Sequence, residues 1–330
     1  MFASVAASFA WSGTASADPS STTPQQGYDL GEVQNPRSVA MGGAQNATGN
    51  STTALWLNPA NLPYTRVYHF EALATFSPDA RRTNFGGAIA DSSTSKLSGA
   101  FGGTWSQMDP DGARRQWTDL RLALALPLGD TVSIGVTGRY LRVNQSVANG
   151  PFRDSYISDG TRGDPIFSQF TFDAGVTVQP VPGLFFGLVG HNLTNPGTSL
   201  APTTLAGGVG YTRDKLFTVE ANALADFTTW KGTRGRLMFG AEFVLVEHVP
   251  LRAGYRYDAG QRAHTLSGGV GYVDKRWSVE IGARRDVAAD QPMTLFSIGL
   301  KYFVDPKKDN GDSRDDAGTG MTNSDPYPNP

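Results

Sequence analysis

From Val67 to Phe303 the chain repeats one pattern, apolar residues two positions apart with small or polar residues between them. That is the period of a β-strand with two chemically different faces. In TVSIGVTGRYL, residues 131–141, Val132, Ile134, Val136 and Tyr140 share one face, and Ser133, Gly135, Thr137 and Arg139 share the other. In residues 119–126, Leu120, Leu122, Leu124 and Leu126 oppose Asp119, Arg121 and Ala123. In FTFDAGVTV, residues 170–178, Phe170, Phe172, Val176 and Val178 oppose Thr171, Asp173, Gly175 and Thr177. About 14 such runs fit between Val67 and Phe303, and most are long enough to cross a bilayer when tilted.

The connections between these runs alternate in length. Short links such as LGD, PVP, RDK, EHV and DKR take turns with longer ones, among them MDPDGARR, the segment from Ser146 to Pro165, LTNPGTSLAP and TTWKGTR. Short periplasmic turns alternating with longer external loops mark an outer-membrane barrel. A soluble β-sandwich also alternates, but its core face is bulky and its outer face charged. Here the less greasy face is largely Gly, Ser and Thr with a few charges. The pattern therefore predicts an all-β fold, a transmembrane antiparallel β-barrel of about 14 strands. An even count places the N- and C-terminal ends of the barrel on the periplasmic side of a Gram-negative outer membrane. Trp105, Trp117, Trp230 and Trp277 are expected in the aromatic girdles at the lipid interfaces.

Composition narrows the function classes. The 330 residues include 39 glycines, 11% aromatic and only 18% charged residues, which does not suit a helical bundle. Net charge is −2 and the pI about 6.1, so no overall basic field exists to hold nucleic acid. The absence of cysteine removes disulfides, thiolate metal sites and cysteine nucleophiles. Mean hydropathy is −0.29, and no run approaches the length of about 18 apolar residues that a membrane-spanning helix needs.

Four segments are expected. Residues 1–17 read as a signal peptide ending in the small residues Ala15, Ser16 and Ala17. Residues 18–66 read as an N-terminal hatch, 67–304 as the barrel, and 305–330 as a polar tail with too little apolar content to fold, hanging in the periplasm. The last strand, LFSIGLKYF, closes on Phe303, similar to the C-terminal signal read by barrel-assembly machinery.

The hatch assignment comes from RSVAMGGAQNATGNSTTALWLNPANLP, residues 37–63, which reads neither as a strand nor as a good helix. It contains a glycine-rich turn, a short apolar patch and a proline-terminated turn in which Asn58 can satisfy nearby backbone groups. Val39, Met41, Leu55, Trp56, Leu57 and Leu62 need burial, and with a barrel downstream the available place is its lumen.

These residues carry a resemblance. RSVAMGGA followed by TTALWLNPANL resembles the hatch signature of the FadL-type superfamily of outer-membrane barrels, which includes long-chain fatty acid transporters and PorV/PorQ proteins. GLFFGLVGHNLTNPG, GRLMFGAEFVLVEHVPLRAGYRYDAG and SGGVGYVDKRWSVEIGARRD resemble the back half of PorV-like members. The resemblance implies a 14-stranded barrel with its N-terminal segment folded inside. Asn58, Pro59 and Ala60 match the NPA turn of the hatch, and Arg37, Met41, Gly42 and Gly43 match the element before it, with Trp56 in the moving part. The chain departs from the family where it has Asn50 and Ser51 instead of an acidic pair, and Asn61 instead of glycine.

By alternation, Glu220, Glu242, Arg252, Arg256, Glu280, Arg284 and Lys301 point into the lumen from the closing half of the barrel. They form either a self-neutralising network that pins the hatch or a gate in which Arg252 and Arg256 hold the pore shut. Enzyme chemistry is not expected. His264 and Ser267 lie three apart in a strand and face opposite sides, His191 and its neighbour Asn192 are expected to face apart, and His248 lies in a turn. His69 has no nucleophile motif near it, and no histidine and carboxylate spacing suggests a metal. No cofactor motif is visible.

The resemblance implies a passive outer-membrane conduit for hydrophobic, fatty-acid-like small molecules, released by hatch movement or through a gap in the wall. Its expected partners are outer-membrane lipid, a hydrophobic small molecule and the assembly machinery. The alternative is a PorV-like scaffold that binds an envelope protein and transports nothing. A continuous apolar tunnel would favour the first, and a charged, sealed interior the second.

Overall fold

The computed structural model describes residue 32 and residues 35–108, 115–145, 165–213, 216–290 and 292–304 of the chain. The expected signal peptide, the C-terminal tail and the segment 146–164 lie outside the described residues.

Fourteen antiparallel strands close into a barrel. They are β1 (Tyr68–Ser77), β2 (Arg82–Asp91), β3 (Ser98–Met108), β4 (Arg115–Leu128), β5 (Val132–Gln145), β6 (Pro165–Val181) and β7 (Leu184–His191). The second half comprises β8 (Thr204–Arg213), β9 (Phe217–Asp226), β10 (Arg234–Leu245), β11 (Val249–Asp258), β12 (Ala263–Val273), β13 (Trp277–Ala288) and β14 (Thr294–Phe303). Each strand pairs with its neighbours in sequence, and β1 pairs with β14 from His69↔Phe303 to Phe76↔Phe296. Closure leaves no free edge.

The side-chain sorting is the inverse of a soluble protein's. Leu120, Leu122, Leu124 and Leu126 on β4 are 40–53% exposed, whereas Asp119, Arg121 and Ala123 between them are at most 4% exposed. The same holds on β6, where Phe170 is 65% exposed and Asp173 only 2%. Large apolar side chains face outward around the wall while carboxylates and guanidiniums face inward, an arrangement that suits lipid outside and polar contacts within.

Two of the four tryptophans expected in the girdles differ. Trp105 and Trp277 face outward, but Trp117 and Trp230 are buried. Trp117 shares its parity on β4 with Asp119 and Arg121, so it turns inward and joins Met108, Leu141, Val143, Phe167 and Leu200 in an apolar cluster. That cluster lies at the end of the barrel that carries the loops after β1, β3, β5 and β7, called the loop end below. Trp230 packs over Gly260 in the adjoining loop.

Residues 35–64 lie inside the barrel. They form two short helices, α1 (Pro36–Ala40) and α2 (Thr52–Trp56), and a 3-10 helix (Pro59–Tyr64). Single turns are too short to display a helical period, which is why the sequence pattern missed them. Asn35 caps α1 by accepting from Ser38 N at 2.9 Å, and Asn58 opens the 3-10 helix by accepting from Ala60 N at 3.1 Å. Wall glycines let the segment sit against the strands: a Cβ on Gly135 would stand 2.5 Å from the Pro59 carbonyl carbon, and one on Gly254 would collide with the backbone of Met41 and Gly42. Replacing Gly135 by Val should therefore dislodge the 3-10 helix while the wall still closes. Limited proteolysis would then cut between residues 57 and 64 in the variant and leave the parent chain intact.

Candidate functional site

The interior is layered. At the end where β1 begins and β14 ends, the N-terminal segment fills the lumen. On its loop side lies a cavity of about 110 Å³, and beyond that the apolar cluster around Trp117.

Six charges link the segment to the wall in an alternating chain. Arg37 on α1 donates from Nη2 to Glu242 Oε1 at 2.9 Å and from Nε to Oε2 at 3.2 Å. Arg252 pairs with the same Glu242 and reaches Glu280 at 2.7 Å. Lys301 stands 3.2 Å from Glu280 and 3.9 Å from Glu71. All six side chains are buried, and three cations alternate with three anions. Such a network costs desolvation but strongly penalises loss of any one member. Glu242, Arg252, Glu280 and Lys301 are the expected lumen residues that meet here. Arg37 joins them from the segment, and Glu71 from β1 completes the chain.

Glu220 is held differently. Its carboxylate accepts from Ala47 N at 2.7 Å, from Thr48 N at 2.9 Å and from the Thr48 hydroxyl, so backbone of the segment rather than a cation satisfies it. Arg256 and Arg284 line the cavity instead, and Arg256 lies 3.6 Å from Glu32.

The other matched residues occupy distinct places along the segment. Met41, Gly42 and Gly43 form the turn after α1, with both glycines at positive φ (65° and 84°). Asn58 donates to Asn46 O at 2.8 Å and to Thr177 Oγ1 at 3.1 Å, and the Ala60 carbonyl accepts from Ser133. Pro59 starts the 3-10 helix. Tyr64 ends it, donating to Thr177 O at 3.1 Å, and burial pushes its hydroxyl up to about 12, so it stays a neutral donor.

A second ionic cluster, on β4–β6, escaped the sequence reading. Asp119 binds both Arg121 at 3.0 Å and Arg139 at 2.8 Å. Arg121 donates to the Trp56 carbonyl at 3.0 Å and lies 5.3 Å from the centroid of the Trp56 ring. The signal was available: all three residues sit opposite the leucine or valine face of their strands. His191 and Asn192 differ from expectation in the same region. The chain leaves β7 with Asn192 at φ 53°, which ends the alternation, so both residues converge on Asp173. His191 Nδ1 is 3.2 Å from its Oδ2, and Asn192 N donates to Oδ1 at 2.7 Å.

His69, unassigned by sequence, stands 2.5 Å from Ser51 Oγ through Nε2 and ties the segment to β1. His264 faces outward beside Tyr255 and Tyr257, away from Ser267, which donates to the Ala40 carbonyl. Among the described residues no group of three or more His, Asp or Glu is arranged to hold a metal ion.

No family model and no curated protein matches the sequence. Solved structures do match. The chain is similar to the CymD monoaromatic hydrocarbon channel, with 15% identity and a TM-score of 0.64 over 84% of this chain and 99% of that one. It is similar to the toluene transporter TbuX of Ralstonia pickettii at 13% identity and a TM-score of 0.60, covering 84% of this chain and 100% of the other. A FadL homologue of Pseudomonas aeruginosa matches at 13% identity and a TM-score of 0.56, over 82% of this chain and 98% of that chain. The chain thus has the fold of the FadL-type outer-membrane barrels.

Proposed function

We propose that the chain is a passive outer-membrane conduit for small hydrophobic molecules, closed in the present state by residues 35–64 acting as a hatch. The observation that carries this reading is the stacking inside the barrel: an apolar cluster at the loop end, then a cavity with Trp56, Leu57, Leu224 and Met238 in its wall, then the segment. The hydrocarbon channels with the same fold support it. The loop end would be the external entrance, formed by residues 193–202 and 228–234; the segment 146–164 that the sequence adds to it lies outside the described residues. Both chain ends would lie in the periplasm, and Phe303 would mark β14 for assembly.

Release by hatch movement fits the wall better than release through a gap. Every strand is hydrogen-bonded to both neighbours, and the register shifts of β5–β6, β6–β7 and β12–β13 sit near strand ends. The ligand size follows from the space, since an apolar cavity of about 150 Å³ holds one benzene. At about 110 Å³ the present cavity is smaller than that, so a single ring or a short chain enters as the segment shifts, and a long acyl chain does not fit.

The scaffold reading has two observations in its favour, the charged lining of the cavity, where Arg121, Arg139, Asp173, Arg236 and Arg256 stand beside the apolar residues, and the neutralised ionic chain that ties the segment to β10, β11, β13 and β14. Native mass spectrometry on protein extracted gently from its own membrane separates the two. We expect a stoichiometric apolar small molecule on the barrel. A co-purifying envelope protein on a barrel without one would overturn the conduit.

A further inference from the structure

Glu32 is, among the described residues, the one acidic side chain that the N-terminal segment sends into the cavity. It bridges two guanidiniums, pairing with Arg236 of β10 and standing 3.6 Å from Arg256 of β11. The two arginines are fixed parts of the wall, each 4% exposed, and Arg236 is oriented by an Nε bond to Asp258 at 2.9 Å. Their occupant is not fixed in the same way: the Glu32 side chain is 36% exposed. Of the other charges of the cavity, Arg121 and Arg139 pair with Asp119 and Asp173 with His191, while Arg284 of β13 also lines it. A guanidinium pair of this kind recognises a carboxylate through charge-assisted hydrogen bonds. In the structure a carboxylate already sits there, supplied by Glu32.

We propose that Arg236 and Arg256 form a carboxylate subsite, occupied at rest by Glu32, and that its ligand is a small amphipathic acid. The acid's apolar ring or short chain would lie against Trp56, Leu57, Leu224 and Met238 in the same cavity. This deepens the conduit reading and rests on it for the ligand's route. The binding chemistry stands by itself. Glu32 acts as a tethered competitor, with an effective concentration of about millimolar order for a short tether. An incoming acid has to displace it, whereas a neutral molecule of the same shape does not compete with it.

The test is calorimetric titration of the purified full chain with benzoate and with toluene, which share a ring and differ in the carboxylate. Glu32→Gln should bind benzoate roughly tenfold more tightly than the parent, with a much smaller change for toluene. Adding Arg256→Gln to that variant should remove the gain. In Glu32→Gln the amide oxygen still accepts from the guanidiniums and Arg236 keeps its bond to Asp258, so the barrel stays folded, and a melting curve of the variant checks this before the titrations are compared. Unchanged or weaker benzoate binding in Glu32→Gln would overturn the subsite, as would an equal gain for toluene. Labelled toluene entry into cells separates the two readings. Failure to enter with the benzoate gain intact sinks the conduit alone, and normal entry without the gain sinks the subsite alone.

Discussion

Replacing Glu242 by Ala should release the N-terminal segment and turn a closed barrel into one that opens. The carboxylate holds Arg37 of α1 on one side and Arg252 of β11 on the other, with every side chain buried. Removing it leaves two guanidiniums enclosed without their shared anion, a cost of about 3–5 kcal/mol for a broken buried pair. The cheapest relief is hydration of Arg37, which means withdrawing α1 from the wall. At about 1.4 kcal/mol for each factor of ten, the released population rises roughly a hundredfold or more. In planar bilayers the parent should be silent and the variant should show discrete openings. Removing both members of the outer pair, Arg37→Met with Glu242→Leu, should cost far less stability, because Arg252, Glu280, Lys301 and Glu71 still alternate in sign. A silent Glu242→Ala variant would show that this chain of charges does not hold the segment.

The wall was legible because its physics is periodic. Lipid outside and a polar lumen inside impose an alternation on every strand, so Leu120 to Leu126 announce their face without any tertiary information. Where reading went astray, a looser association replaced that rule. Trp117 sits near a strand end, which suggested a girdle, yet its odd spacing from Leu120 already placed it with Asp119 and Arg121 on the inner face. Parity sorts Asp119, Arg121 and Arg139 inward but does not say that they meet, because the register of β4 on β5, with Arg121 opposite Arg139, is set by the pairing and not by either strand alone. His191 and Asn192 could not be placed by parity, since the positive φ at Asn192 occurs where the strand ends.

The lumen segment is a harder case. Its two α-helices have five residues each, shorter than two turns, and its 3-10 helix has six, so no stripe can form. What holds it are contacts between residues far apart in sequence, Arg37 with Glu242 and Thr48 with Glu220, and nothing local encodes them. The need of Val39, Met41, Leu55, Trp56, Leu57 and Leu62 for burial pointed to the lumen, as did the hatch resemblance, and there five are buried and Leu57 is half-buried. Glu32 gave no signal in the sequence, because its meaning depends on two arginines brought together by β10 and β11.

The central claim is that molecules pass when residues 35–64 move, and the chain offers a clean way to stop that movement. It contains no cysteine, so an introduced pair is the only thiol chemistry present. A Cβ built on Gly269 of β12 would stand 2.6 Å from the Ala40 Cβ. The Cβ atoms of a disulfide lie about 3.5–4.5 Å apart, so Ala40→Cys with Gly269→Cys needs a shift of about 1 Å to cross-link α1 to the wall. The measurement is the rate of labelled toluene entry into cells that carry this variant in the outer membrane, before and after a membrane-permeant reductant. With the cross-link formed, entry should fall to that of cells lacking the protein, and reduction should restore the parent's rate. Equal entry in the cross-linked and reduced states would contradict the account, because the segment would then not be the gate.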